Sequence, residues 1–397
     1  MTESERGAQR FDIVIAGGGM IGSSLALAAA PLGLKIAVVE AVPRGSAQQP
    51  SFDDRSTALA RSTQRMFEAM GLWDQIVAAS TPIRSIHVSD QGRFGFSHID
   101  AEEQGVEALG YVVINRVLGD VLQQALDREP NVEVICPARI VDVELGEEQA
   151  AAVVAGDDGA DLELSCELLV AADGARSSVR EMMGIGATQD AYGQRAVIGN
   201  LLTERPVENR AFERFTNQGP LAMLPINEGR TAFVWTVAEH DADRVMALDD
   251  ASFLAELQQA FGNRLGRLAK VGQRVSYPLV LSKAARLTAQ RSVLIGNSAH
   301  GLHPGSAQGF NLGMRDVAAL CDCLADHRRD PDMLQRYADW RHSDQVKLVR
   351  FTDSLVKLFG SNRRPLRALR NVGMLGFDLI PGVRSLFAKH TMGLAGR

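Results

Sequence analysis

The sequence predicts an α/β chain: a parallel-sheet half of dinucleotide-binding type, an inserted antiparallel β-sheet domain, and a helical tail. Three observations predict it. A strand–helix–strand unit with a glycine fingerprint opens the chain. Two further apolar strands run into corners far downstream, at Asp173-Gly174 and at Gly296-Asn297. Between those corners apolar residues alternate with a period of two, the pattern of antiparallel strands with one covered face.

The opening unit runs from Phe11 to Glu40. Ile13, Val14 and Ile15 read as a buried strand, apolar residues recur at helical spacing from Met20 to Leu32, and Lys35 to Val39 reads as a second strand. Gly17, Gly19 and Gly22 supply G-x-G-x-x-G at the turn between strand and helix, the context that fingerprint requires. Gly17 makes the turn, Gly19 lets backbone approach a pyrophosphate, and Gly22 lets helix and strand pack closely. Met20 and Ile21 open the helix, whose unpaired N–H groups favour the phosphate charge. Glu40, about 20 residues on, is placed to accept from a ribose hydroxyl. The fingerprint leaves FAD and NAD(P) open, and a glycine-rich turn without a ligand is the plainer alternative.

A polar loop from Pro43 to Phe52 follows. The run from Asp53 to Leu59 then opens an amphipathic helix with Leu59, Met66, Phe67 and Met70 at helical spacing and Gly71 at its end. Arg55 at its start either contacts a base or phosphate or pairs at the surface with Asp53 or Asp54. Ile83 to Asp100 alternates and reads as a hairpin turning at Asp90-Gln91-Gly92. Val112 to Arg116 leads into a helix from Val117 to Arg128; strands at Val132–Val134 and Ala138–Val143 and a turn-rich meander from Ala150 to Glu163 follow.

The apolar run from Leu168 ends at Asp173-Gly174, and the helix after it begins with Ser and carries Arg180. Asp173 stands at the carboxyl end of a parallel strand, where ligands bind in open α/β sheets; an ordinary Asp-Gly turn is the other reading. From Arg195 to Tyr277 short strands return, at Ala196–Leu202, Ala211–Phe215, Leu221–Pro225 and Thr231–Val237, with a helix at Phe253–Phe261. Their mixed aromatic and apolar face can wall a hydrophobic pocket. Ser292 to Ile295 then enters Gly296-Asn297, and a loop of Pro, Gly and small residues from His303 to Gly309 precedes a helix from Asn311 to about His327. Backbone N–H groups at such a helix start can face a flat or anionic group.

Bulk properties narrow the function classes. A net charge of −6 argues against a general nucleic-acid binder. The four cysteines are too few and scattered for a disulfide framework, and no CxxC or HExxH supports a metal. The polar N-terminus lacks the apolar core of a signal peptide, and no run of about 18 apolar residues suits a membrane span. A reducing cytoplasm fits. The tail from Asp330 mixes Arg363, Arg364, Arg367, Arg370, Arg384 and Lys389 with Leu355, Phe359, Leu366, Phe377 and Phe387. Such a mixture can lie on an anionic membrane surface, meet a partner, or pack on the core.

The three corners together resemble the FAD-dependent aromatic hydroxylases of group A, the para-hydroxybenzoate hydroxylase type, and within them the ubiquinone-biosynthesis hydroxylases. The phrases Ile86–Gly92, Phe212–Pro225 and Val356–Phe359 look most like the subgroup acting on 2-octaprenyl-6-methoxyphenol at ring C1. The resemblance implies a Rossmann-like FAD domain of glutathione-reductase type, discontinuous over 1–82, 107–185 and 285–345. It further implies a substrate β-sheet domain over 83–106 and 186–284 and a helical basic, apolar tail over 346–397. It implies that FAD is held by Gly17, Gly19, Met20, Ile21, Gly22, Glu40, Asp173, Gly174, Gly296, Asn297, Pro304, Gln308, Gly309 and Asn311, with Arg55 and Arg116 as the cofactor-contacting arginines. Asn297 stands where the family has Asp, a neutral group that still hydrogen-bonds a hydroxyl. NADPH or NADH and O2 are the implied co-substrates, and the implied chemistry transfers oxygen from a flavin C4a-hydroperoxide to a polyprenylphenol. His303 and Pro304 would flank the flavin ring, and His300 and His303 carry either a proton role or a structural one. Phe215, Leu221, Met223, Phe233 and Trp235 would hold the substrate ring. Peripheral contact with the inner membrane and a place in a ubiquinone-biosynthesis complex are implied as well. A flavin reductase, an epoxidase or a non-catalytic flavin-bound scaffold are the competing readings; a halogenase phrase W-x-W-x-I-P is absent.

Overall fold

The frame is a strand covered on both edges. β1 (Gln9–Ala16) pairs in parallel with β2 (Ile36–Val39) on one side and with β11 (Asp161–Ala171) on the other. Parallel sheets are buried on both faces, and Ile13 to Ala16 accordingly lose nearly all solvent contact. This computed structural model describes residues 8–46, 53–91, 96–156, 159, 161–227, 229–301, 308–328 and 330–360, with side chains to 346.

The chain then runs as follows. α1 (Met20–Ala29) crosses from β1 to β2. β3 (Ser56–Ala60), α2 (Arg61–Ala69), α3 (Trp73–Ala78) and β4 (Thr81–Ile83) precede the hairpin of β5 (Ser85–Asp90) and β6 (Phe96–Asp100). β7 (Gly110–Ile114), α4 (Asn115–Leu126), β8 (Val132–Ile135), β9 (Ala138–Leu145) and β10 (Ala150–Gly156) lead to β11, and α5 (Ser178–Met182) leaves it. β12 (Ala187–Thr203), β13 (Arg210–Phe215), β14 (Pro220–Pro225), β15 (Arg230–Ala238), α6 (Glu239–Ala247), α7 (Asp250–Phe261) and β16 (Leu268–Ala284) follow. β17 (Thr288–Ala289), β18 (Ser292–Leu294), β19 (His300–Gly301), α8 (Gly309–His327) and α9 (Met333–Gly360) complete it.

Three sheets result. The first has the order β17-β18-β11-β1-β2-β8, with β10 and β9 added antiparallel beside β11. α1, α4 and α8 cover one face with Leu25, Leu118, Leu122, Met314 and Leu320. β9, β10 and α5 close the other over Phe11, Val14 and Leu169. The second sheet runs β19-β16-β12-β15-β14-β13-β5-β6, and the third is β3-β7-β4. Parallel pairing of β5 with β13 carries the early hairpin into the second sheet.

Two expectations change. Residues Ser56–Ala60 are a strand paired antiparallel with β7, and the helix begins at Arg61. The helical spacing of Leu59 with Met66 and Phe67 is real, but β7 offers Ser56–Ala60 a ladder of backbone bonds, and that tertiary pairing overrides the local pattern. The short strands after Arg195 are pieces of longer ones, and the helix α6 and the strand β16 are additional to them.

Candidate active site

Three loops meet at the carboxyl ends of β1, β11 and β18. At the first, Gly22 lies so close to the turn that a Cβ on it would sit 1.9 Å from the Gly17 carbonyl oxygen. Gly17 has φ +100°, and a Cβ there would meet the Ala172 carbonyl at 2.7 Å and the Asp173 Cα at 2.9 Å. Gly17 is thus demanded by the neighbouring loop as well as by its own turn. Gly19 caps α1 with no side-chain bond and no acidic residue follows in the first turn, so the donors at this helix start, at Met20 and Ile21, suit an anion. Glu40 holds the loop: its Oε2 accepts from Gly18 N at 2.7 Å and its Oε1 from Val42 N at 2.8 Å. A carboxylate has about four acceptor positions, which leaves room for a ribose hydroxyl.

Ser298 joins the second corner to the third. Its hydroxyl donates to Asp173 Oδ1 at 3.1 Å and accepts from Gly174 N at 3.2 Å. Asp173 Oδ2 accepts from Val179 N at 3.2 Å. Arg180, buried behind them, donates to the Ser298 carbonyl at 3.2 Å. Ile21 joins the third corner to the first, because its side chain fills the space that a Cβ on Gly296 or Gly313 would need, at 3.2 and 2.7 Å. Asn297 is exposed at this corner, between buried Gly296 and Ser298.

The third corner is anchored from below by a carboxylate. Asp316 of α8 is fully buried and accepts from Gly296 N at 2.9 Å, Arg341 Nε at 2.7 Å and Gln345 Nε2 at 3.4 Å. His300 Nε2 lies 2.7 Å from it. Burial would raise the Asp316 carboxyl, but the charges of His300 and Arg341 and these bonds hold it at about 2. His300 is buried beside this carboxylate. Asp316, Arg341 and Ser298 were missed by sequence reasoning; the only local signal was an acidic residue inside an apolar helical run.

The remaining predicted residues divide. Asn311 is buried and works as a clamp: its Oδ1 accepts from Ala60 N at 2.8 Å and Thr63 Oγ1 at 2.7 Å, and its Nδ2 donates to the Ala58 carbonyl at 2.9 Å. Gln308 caps α8, and Gly309 opens it. Arg55 pairs with Asp53 at 2.5 Å and lies 4.7 Å above the Tyr277 ring of the second sheet. Arg116 pairs with Asp54 at 3.2 Å in solvent. Residues 53–55 strap the start of α4, with Asn115 N donating to the Arg55 carbonyl at 2.8 Å and Arg116 N to that of Asp53 at 2.9 Å. His303 and Pro304 fall outside the described residues, as does most of the basic tail. Among the described residues no cluster of His, Cys, Asp or Glu suits a metal, and no helix is long and apolar enough to cross a membrane.

The second sheet meets the third with the side opposite to the one expected to hold the substrate. Leu221, Met223, Phe233 and Trp235 are buried against Phe253, Leu257 and Phe261 of α7, together with Val245 of α6. They form a core, so they cannot hold a substrate ring. Side chains alternate across a strand, and the other face carries three rows. Ile86, Ala211, Leu224 and Ala232 pack on the third sheet through Ala58 and Val112; in their row Asn200 donates to the Asp54 carbonyl at 3.4 Å. Phe215, Thr236 and Tyr277 belong to the far row, and Arg55 lies over its Tyr277 ring. Between them run Val88, Glu213, Ala222, Val234 and Ile198, side by side on five strands and all half-buried. Phe215 alone of the expected ring-holding set lies on this side.

Known proteins share this architecture and this sequence. The FAD binding domain family matches residues 10–352. A ubiquinone hydroxylase, UbiL, of Rhodospirillum rubrum is 36% identical over 389 residues, covering 96% of this chain and 89% of that protein. A 3-demethoxyubiquinol 3-hydroxylase of Escherichia coli is 30% identical over 402 residues, covering 97% and 99%. This chain belongs to the FAD-dependent ubiquinone-biosynthesis hydroxylase family. The family's members are monooxygenases that use FAD, with NAD(P)H and O2 as co-substrates. The fold is also that of p-nitrophenol 4-monooxygenase PnpA from Pseudomonas putida, at a TM-score of 0.82 over 98% of this chain and 99% of that one, with 19% identity. The cofactor of this family is FAD, which answers between FAD and NAD(P) where the fingerprint left both open.

Proposed function

We propose that this chain hydroxylates the ring of a polyprenylated methoxyphenol in ubiquinone biosynthesis, at ring C1. The observation that carries the reading is the convergence of three distant corners at the carboxyl ends of β1, β11 and β18, joined through Ser298 and Ile21. Relatives matched over nearly their whole length bear ubiquinone-hydroxylase names, which supports the substrate class.

The cradle fits FAD, because its close approaches leave no space for a Cβ at Gly17 or Gly22 and its helix start lacks an acidic residue. Backbone donors from Gly17 to Gly22 would hold the pyrophosphate and Glu40 the ribose. Asp173, Gly174, Gly296, Asn297, Gln308 and Gly309 would hold the rest, with Arg55 and Arg116 at the rim and Asn311 bracing the start of α8. Bound FAD, reduced by NAD(P)H, supplies activated oxygen. The protein orients the phenol, excludes water and balances charge; His303 and Pro304 stand in the loop that would flank the ring. The domain division is the one drawn from the sequence, with 346–397 as a tail for peripheral contact with the inner membrane or a biosynthetic complex.

The test is chemical. Purified holoenzyme is given NAD(P)H, O2 and a short-chain 2-prenyl-6-methoxyphenol, and the product is identified by mass and by the position of the new hydroxyl. A C1 hydroxyl is expected. A hydroxyl elsewhere assigns the enzyme to a sister step, as the name of the E. coli relative suggests; NAD(P)H consumption without a hydroxylated ring overturns the reading.

A further inference from the structure

The middle row of the second sheet contains one ionisable side chain. Glu213 stands between Val88 of β5 and Ala222 of β14, with Val234 and Ile198 continuing the row. Along its own strand the same face carries Ala211 and Phe215. Its Oε1 is shut off from solvent and has no hydrogen-bond partner among the described residues. A carboxyl left so in an apolar wall costs free energy and calls for a purpose. Other rows of the same face meet the flavin half of the molecule, at Ala58 and Val112 beside Ala211 and, four strands from Glu213, at Arg55 over Tyr277. The row between them stays half-buried, on the face of the sheet that meets that half.

We propose that Glu213 is the catalytic residue that engages the phenol hydroxyl of the substrate and takes its proton. This rests on the reading of the enzyme as a phenol hydroxylase. The phenol O–H bond breaks, and the proton goes to a Glu213 carboxylate oxygen. The electron pair left on the ring oxygen enriches the ortho and para carbons, one of which bonds to the oxygen atom derived from O2. Rearomatisation then releases that carbon's proton, which leaves in the water formed from the second oxygen atom, and Glu213 returns its own proton to the ring oxygen. NAD(P)H is the reductant.

The carboxyl is tuned for this. Burial alone pushes Glu213 up to about 8, closer to an ordinary phenol near 10 than a solvated carboxylate near 4.3, so the transfer is less uphill and the base still recovers near neutral pH. No charged neighbour contributes. β14 has no titratable group; β5 carries His87 and Asp90, and β13 carries Arg210 and Arg214; none is a cause of the shift.

Glu213→Gln and Glu213→Asp decide the matter in the FAD-loaded enzyme. Binding of the prenylated methoxyphenol is read from the change it makes in flavin absorbance, and turnover from ring-hydroxylated product. The expected result is unchanged FAD content, a loss of about 100-fold in kcat/KM for Glu213→Gln, and NAD(P)H oxidation diverted to hydrogen peroxide. Wild-type kcat/KM should rise with pH to a limb at about 8; Glu213→Asp should keep a displaced limb and Glu213→Gln should lose it. Wild-type product together with Glu213→Gln turnover within threefold of it, or an unaltered limb, overturns the inference alone. A wild-type enzyme that hydroxylates no phenol overturns both the inference and the reading beneath it.

Discussion

Asp316 and Glu213 are both buried carboxyls, one in each half of the molecule, and they are shifted in opposite directions. Asp316 sits among His300, Arg341, Gln345 and the Gly296 amide and is held at about 2. Glu213 has only Val88, Ala222 and other apolar neighbours in its row and is pushed up to about 8. Burial acts on both, so the partners decide the sign. A carboxylate surrounded by donors is a fastening: it ties α8, α9 and the third corner together. A carboxylate without them is held in readiness for a group that arrives later.

The largest expected effect tests the fastening. Asp316→Asn keeps the shape but removes the charge that faces buried Arg341, and should cost about 4 kcal/mol in denaturant unfolding; a loss under about 1 kcal/mol would show that the cluster is not the anchor. Gly22→Ala comes next. It places a Cβ against the Gly17 carbonyl, and should cost about 3 kcal/mol while emptying the protein of FAD; an unchanged flavin spectrum would contradict the cradle.

Glu213→Gln should act in the opposite sense and stabilise. An acid whose folded pKa is raised keeps its proton while the unfolded chain gives it up, so wild-type stability falls as pH rises from about 4.5 through about 8. The variant should therefore gain up to about 4 kcal/mol over wild type at pH 8 and almost nothing at pH 4. A gain independent of pH would mean that Glu213 is not isolated. Smallest is Ser298→Ala, which removes the bridge between Asp173 and Gly174 and should cost about 1 kcal/mol with weakened FAD retention. Stability and retention equal to wild type would separate the second and third corners.

Legibility differed between the halves. In the flavin half the signals are local: apolar strand runs, glycine offsets and a carboxylate at a set distance identify the corners without a structure. One element there misled, because helical spacing around Leu59 survives even though β7 draws Ser56–Ala60 into a strand. Asp316 carried no comparable signal, since its partners Arg341 and Gln345 come from a different helix. In the inserted sheet the most apolar residues invited the wrong assignment. Leu221, Met223, Phe233 and Trp235 are apolar because α6 and α7 cover them, whereas the side that meets the flavin half is plainer and carries Glu213 in its middle row.

The sequence by itself determined the class of fold, the position of the three strand-end corners and the family, because each depends on residue type at short spacing. Only the tertiary structure decided which face of the inserted sheet meets the cofactor half and which carboxyls have company. Alternation establishes that a strand has two faces, but which one becomes core depends on where helices later in the chain pack, and a buried carboxyl's pKa depends on partners that the fold brings from far along the chain.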